Sequence, residues 1–177
     1  PADTQETAVA WKHAILSEER PSAFALSRQT LQEIPKSTNQ NININKGGYI
    51  IFGNSNKPDG IIVASGSEVS LVLQAARELK EKNIEIRVIS MPCQEVFERQ
   101  SSSYKNKCLP KNFDNILAVE AGKGDSWYKY VGKKGSMITM DSYGLSGTGN
   151  DVMKHFGFTV NNIKKQMQKL INRKIGD

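Results

Sequence analysis

Residues 61–92 read IIVASGSEVSLVLQAARELKEKNIEIRVISMP. An unbroken apolar run (61–64) meets a lone glycine, Gly66, and passes straight into a stretch where Val69, Val72, Ala76 and Leu79 recur at helical spacing. IEIRVIS (84–90) then restores a strand pattern. Strands that are apolar throughout are buried on both faces, and a helix between two of them is the crossover that makes a parallel pair. The corner ASGSEV sits at a strand end and a helix N-terminus, where free amides favour an anion. Its residue types favour a structural cap instead. A dinucleotide turn needs G-x-G-x-x-G and a P-loop needs G-x-x-x-x-G-K-[ST], whereas this corner has one glycine, no lysine, and Glu68 in the first turn. Ser65 and Glu68 are expected to form an S-x-x-E capping box, with Gly66 permitting the tight bend.

The same alternation extends outward. YIIF (49–52), GIIVAS (60–65), NILAVE (115–120) and SMITM (136–140) join IEIRVIS as five strand candidates, and the tail repeats a helical face with Val160, Ile163, Met167 and Leu170. The pattern predicts an α/β, three-layer sandwich with a five-stranded mixed, mainly parallel sheet. FGNSNKPDG (52–60) is short enough to make an antiparallel hairpin of the first two strands, which is why the sheet is expected to be mixed. No repeat at a solenoid period is present.

The first 46 residues read differently. Asp3 and Glu6 fit a D-x-x-E capping box in which Asp3 accepts from the Glu6 amide and Glu6 reaches back to the Asp3 amide. Ala8, Trp11 and Ile15 then define a helix with one buried face. SAFALSRQ (22–29) reads as a buried strand ending at Ser27, Arg28 and Gln29, and the asparagine-rich STNQNININKGG (37–48) as a linker. One helix and one strand cannot form a sheet alone.

With 177 residues and 38% hydrophobic content, the chain can bury a domain-sized core, which argues against disorder. Its net charge of +6 is spread through helices, densest at KNK (105–107) and at Lys133 and Lys134. No arginine stripe interleaved with aromatics emerges, so no nucleic-acid partner is expected. Cys93 and Cys108 lack CxxC spacing or a companion histidine, which supports neither zinc nor a dithiol motif. Reduced thiols, no apolar run of membrane-spanning length and no signal peptide lead to the expectation of a cytoplasmic protein without a membrane partner. Pro1 stands where a starting methionine is usual, an expectation of a fragment or a processed product.

Candidate chemistry is sparse. His13 and His155 lie in predicted helices without an acid or serine partner at close spacing, and His155 suits a helix C-terminus. Glu120 and Asp141 each end a strand, a position for a catalytic acid or for a cap of the next helix. DSYGLSGTG (141–149) has glycines in the wrong order for a dinucleotide turn and reads as a packing or interface loop, with a small-ligand site as the second reading. Arg28 either grips a phosphate bidentately or lies solvated at a strand end.

FALSRQTL, GGYI, PDGIIVASGSEVSLVLQAARELKEKNIEIRVISMP, KCLP, AVEAG, DSYGLSG and HFGFT occur in this order across nearly the whole chain. Together they resemble the C-terminal part of a transketolase. The resemblance implies that residues 1–46 are the end of the pyrimidine-binding domain and its linker, a helix-strand remnant of a second α/β domain, and that 47–177 are the C-terminal α/β domain. The implied reaction moves a two-carbon ketol unit from a ketose phosphate to an aldose phosphate in the pentose phosphate pathway, with thiamine diphosphate and magnesium or calcium, in a cytoplasmic homodimer. By the same resemblance Arg28 contacts the substrate phosphate. The cofactor, metal and catalytic residues of the family lie upstream of Pro1, so no catalytic, cofactor-binding or metal residue is expected in this chain, and alone it is expected to be inactive with no cofactor bound. The rival expectation is a free-standing α/β module for a regulatory ligand or a partner protein.

Overall fold

The computed structural model describes residues 1–35, 43–53 and 55–173. Residues 37–42 of the expected linker therefore lie outside the described residues. Five strands form one sheet: β1 (Tyr49–Phe52), β2 (Gly60–Ala64), β3 (Ile86–Ser90), β4 (Ile116–Val119) and β5 (Ser136–Ile138). Their order is β1-β3-β2-β4-β5, parallel except for β1, which runs antiparallel to β3. The sheet is mixed as expected, but not through a hairpin. β1 bypasses β2 and pairs with β3, Tyr49 facing Ser90 and Ile50 facing Ile89. That leaves both edges of β2 to β3 and β4, consistent with a strand buried along its whole length.

Among the described residues seven α-helices accompany the sheet: α1 (Thr4–Ile15), α2 (Glu68–Lys80), α3 (Gln94–Glu98), α4 (Ser102–Cys108), α5 (Tyr128–Val131), α6 (Gly149–His155) and α7 (Val160–Arg173). Period-two alternation divides the core into two layers. Ile62, Ala64, Leu117 and Val119 face α2 and α7, meeting Val72, Leu79, Ile163 and Met167. Ile61, Val63, Ile116 and Ala118 face the other way, onto Phe97, Cys108, Trp127 and Val131. The three-layer sandwich predicted from 61–92 is the observed one. Gly66 turns the chain between β2 and α2 with φ of 53°, in the left-handed region where a side chain is disfavoured.

Local expectations need correction in three places. The segment SAFALSRQ forms no strand: no strand among the described residues pairs with it, and apart from half-buried Phe24 it is exposed. Helix α1 turns its apolar side outward: Trp11 is 53% and Ile15 75% exposed, while Asp3 and Glu6 are buried. Asp3 accepts from the Glu6 amide at 2.8 Å as expected, yet Glu6 takes the Ala2 amide at 2.6 Å rather than that of Asp3. Third, Ser65 does not cap α2. Ser67 occupies the cap position, and the Ser65 hydroxyl donates to Glu120 at 2.8 Å.

Candidate functional site

Two places merit chemical scrutiny: the carboxyl ends of the central strands, and the bend that carries Arg28. Open α/β sheets receive ligands where neighbouring strands send their connections to opposite faces. Here β2 leads to α2 on one face, whereas β3 and β4 lead to α3 and α5 on the other. A cleft of about 310 Å³ opens at that point, lined by Ser65, Met91, Cys93, Glu120, Lys123 and Trp127 among others.

Glu120 lines it, and a second acid, the buried Glu68, opens α2 nearby. Burial pushes the Glu68 carboxyl above the usual glutamate range, against the pull of the Ser67 hydroxyl, and the Glu120 charge pushes it further. Burial likewise raises Glu120, although hydrogen bonds from Ser65 and Trp127 oppose it. The Ser65 hydroxyl donates to Glu120 at 2.8 Å, so the corner after β2 is stitched to the end of β4. A phosphate placed here would meet carboxyl groups instead of free amides. The opening corner is structural.

The thiols are no better suited to nucleophilic work. Burial raises Cys93 and Cys108 alike, which disfavours the thiolate. His13 and His155 are exposed in the last turns of α1 and α6, where an imidazolium suits the helix dipole. Asp141 is exposed after β5. The densest lysines engage acids, Lys105 with Glu98 at 3.0 Å and Lys134 with Asp114 at 3.1 Å. Among the described residues no His, Cys, Asp or Glu side chains gather into a set that could hold a metal ion, and no helix is long and apolar enough to cross a membrane.

Arg28 stands in an exposed bend and makes no hydrogen bond or ion pair among the described residues. The bend itself is held. The Gln29 amide donates to the Ser27 hydroxyl oxygen at 3.1 Å, a local turn that fixes the backbone on either side of the arginine. The Gln29 side chain lies against Gly149, at the end of the glycine-rich stretch 141–149. Sequence reading located Arg28 and that stretch separately. Their adjacency was not visible, since nothing in spacing reports a contact between distant segments.

A family model for the transketolase-like TK C-terminal domain matches residues 47–159. The transketolase of Bacillus subtilis is 39% identical across 98% of this chain. The chain belongs to the transketolase family. Transketolase 1 of Vibrio cholerae is 43% identical over 97% of the chain. Each alignment takes in only 26% of the relative, so the chain spans about a quarter of their length and corresponds to their C-terminal portion. A crystal structure of Pichia stipitis transketolase in complex with sedoheptulose 7-phosphate superposes on the whole chain, with a TM-score of 0.88, 36% identity and 25% of that chain covered. The five-stranded mixed sheet and its helices are thus those of the transketolase C-terminal region. The free-standing regulatory module finds no support in these matches.

Proposed function

We propose that this chain is the C-terminal portion of a thiamine-dependent transketolase and that it supplies a phosphate contact, Arg28, to a site completed by the rest of the enzyme. The observation that carries the reading is the free guanidinium of Arg28 in a held bend, inside a chain aligned end to end with transketolases. A planar fork of N–H donors matches a phosphate bidentately, and an arginine without a competing acid can make that match. One relative was crystallised with sedoheptulose 7-phosphate, a ligand of this chemistry.

The intact enzyme transfers a ketol unit between sugar phosphates in the pentose phosphate pathway, as a cytoplasmic homodimer. Thiamine diphosphate and magnesium or calcium supply the carbanion chemistry there. The described residues do not fit that cofactor and metal: no metal set exists, and the buried acids at the strand ends disfavour a diphosphate. Arg28 therefore acts by binding and orienting. Residues 1–46 belong with the pyrimidine-binding domain and 47–177 form the C-terminal domain.

The 177 residues alone then neither bind thiamine diphosphate tightly nor transfer a ketol unit. Calorimetry with thiamine diphosphate and magnesium, followed by turnover of xylulose 5-phosphate with ribose 5-phosphate, tests this. Robust turnover by the isolated chain overturns it. In the intact enzyme, Arg28→Ala raises KM for these phosphorylated sugars while sparing substrates without a phosphate.

A further inference from the structure

We propose that the cleft between α3, α5 and the connection into β4 is a second ligand site, one that does not include Arg28, and that it takes an anion carrying two or more phosphate groups on a flat apolar body. The cleft offers about 540 Å³, within the range of small-molecule sites. It lies at the amino-terminal ends of β4 and β5, the opposite end of the sheet from the cleft at Glu120. Phe97, Phe113, Ile116 and Val131 line it from the core side. Five lysines line the same space against two acids, Glu98 and Asp114. Lys134 pairs with Asp114, and Lys105 and Lys129 share Glu98, which leaves Lys111 and Lys133 without an ion pair among the described residues. A concave apolar wall weakens the screening of such charges, so an anion is drawn in more strongly than at a flat face. A bare anion would leave that wall uncovered; a flat apolar group attached to it gains the burial.

Glu98 already stands where an anionic group of the ligand would sit. Lys105 donates to its Oε2 at 3.0 Å, and Lys129 Nζ lies 3.6 Å from its Oε1. The Tyr130 hydroxyl is buried beside the same carboxylate, which is not placed to complete a hydrogen bond with it. The ring cannot swing away to find another partner, because Phe97 and Trp127 flank it with centroids 6.0 and 5.9 Å distant. A buried donor without an acceptor costs free energy that a better-placed acceptor recovers. Two ammonium groups and a phenol therefore converge on one half-exposed carboxylate. A terminal phosphate has three acceptor oxygens for these three donors.

The unpaired lysines stand on fixed backbone. In the turn that carries Lys133, the Gly132 amide donates to the Tyr128 carbonyl at 2.9 Å and the Gly135 amide to that of Val131 at 3.1 Å. A Cβ at Gly135 would fall 2.4 Å from the Val131 carbonyl oxygen and 2.6 Å from that of Ile116, main-chain atoms in the core wall that cannot step aside. The Lys111 amide is tied to Asn106 Oδ1 at 3.1 Å. Both charges are thus presented from held stems, with no ion pair to break first.

Isothermal titration calorimetry of ATP into the intact enzyme, with thiamine diphosphate and magnesium in excess, tests the site. One saturable site per chain is expected, and Lys111→Ala combined with Lys133→Ala should weaken it about tenfold. Tripolyphosphate, which has the charge without the body, should bind about tenfold more weakly than ATP, and adenosine should give no measurable heat. Glu98→Gln removes the internal competitor and should tighten ATP binding severalfold. Absence of saturable ATP binding in the parent overturns the proposal. So does an unchanged affinity in the double variant, which puts ATP in another site, and so does equal binding of ATP and tripolyphosphate, which shows a charged patch only. Weaker binding in Glu98→Gln overturns it as well, and should that variant fail to fold, the double variant still decides. The readout is binding at a place apart from the arginine bend, so its failure leaves the reading of Arg28 standing.

Discussion

The phenol of Tyr49 donates to the Glu6 carboxyl at 2.8 Å, joining the N-terminal helix to the edge of a sheet that begins more than forty residues later. Antiparallel pairing sets Ser90 opposite Tyr49, and the Ser90 hydroxyl donates to the same Glu6 oxygen at 2.5 Å. All three side chains are buried. Burial, reinforced by the nearby Glu6, pushes the Tyr49 phenol far above its ordinary value, so it remains a donor at any working pH.

This cluster makes a graded stability prediction. Glu6→Ala leaves two hydroxyls and the Ala2 amide without their acceptor in a buried place, and should destabilise the 177-residue chain by about 3 kcal/mol. Tyr49→Phe removes one donor and should cost about 1 kcal/mol. Glu6→Gln, which retains an acceptor oxygen, should fall between them. Urea denaturation of the three variants gives the ranking; an unaltered midpoint in Glu6→Ala would contradict the geometry.

The acids at the strand ends predict a pH dependence. Burial raises both Glu68 and Glu120, so the folded chain holds their protons more tightly than the unfolded chain does. Their stabilising contribution is complete below the ordinary glutamate value near pH 4.3 and is lost as pH rises through the raised folded values. The slope is negative because the unfolded state binds fewer protons across that window. Glu68→Gln should flatten this part of the curve and stabilise the chain at pH 7 relative to the parent. Denaturation midpoints measured from pH 4 to pH 8 check the sign, and a parallel curve for the variant would refute it.

The outward face of α1 predicts association of the isolated chain. Trp11 stacks on Phe24 with ring centroids 4.8 Å apart, and Ile15, Leu16 and Leu26 lie exposed around them. A patch of this kind marks a surface that is normally covered. Sedimentation velocity should show concentration-dependent self-association, reduced by the double change Trp11→Ser and Ile15→Ser. A chain that sediments as a monomer at every concentration would speak against a covered face.

Hydrogen exchange should separate the two parts. Amides of β2, β3 and β4 lie in ladders within the core and should exchange slowest, whereas 22–33 have no ladder and should exchange near the unprotected rate. The first turn of α1 should be intermediate, held by Glu6. Equal protection in 22–33 and the central strands would be incompatible with the structure.

What the sequence revealed follows from how local each signal is. Strands 49–52 and 61–64 and the face of Val69, Val72, Ala76 and Leu79 announce themselves by periodicity, because burial on both sides or along one stripe leaves a repeating mark. The partner of β1 does not, since a short connection permits a hairpin without requiring one. Ser65 followed by Glu68 has the spelling of a capping box, yet Glu120 arrives from another strand and takes the serine. The apolar spacing of Ala8, Trp11 and Ile15 marks a helical face, but the side of α1 that is buried here is set by Asp3 and Glu6, whose partners arrive from elsewhere in the chain. Arg28 was legible as a residue, and the approach of the Gln29 side chain to Gly149 was not, because that contact closes only in three dimensions.

Helix α1 offers two kinds of hold on its two sides. On its inner side, Glu6 is gripped by hydrogen bonds that act along fixed directions and so dictate the angle at which the helix leaves the sheet. On its outer side, Trp11, Ile15 and Leu16 offer burial, which has strength but almost no preferred direction. A helix built this way behaves like a bracket: screwed to one wall, glued to the other, it transmits the orientation of the first to whatever adheres to the second.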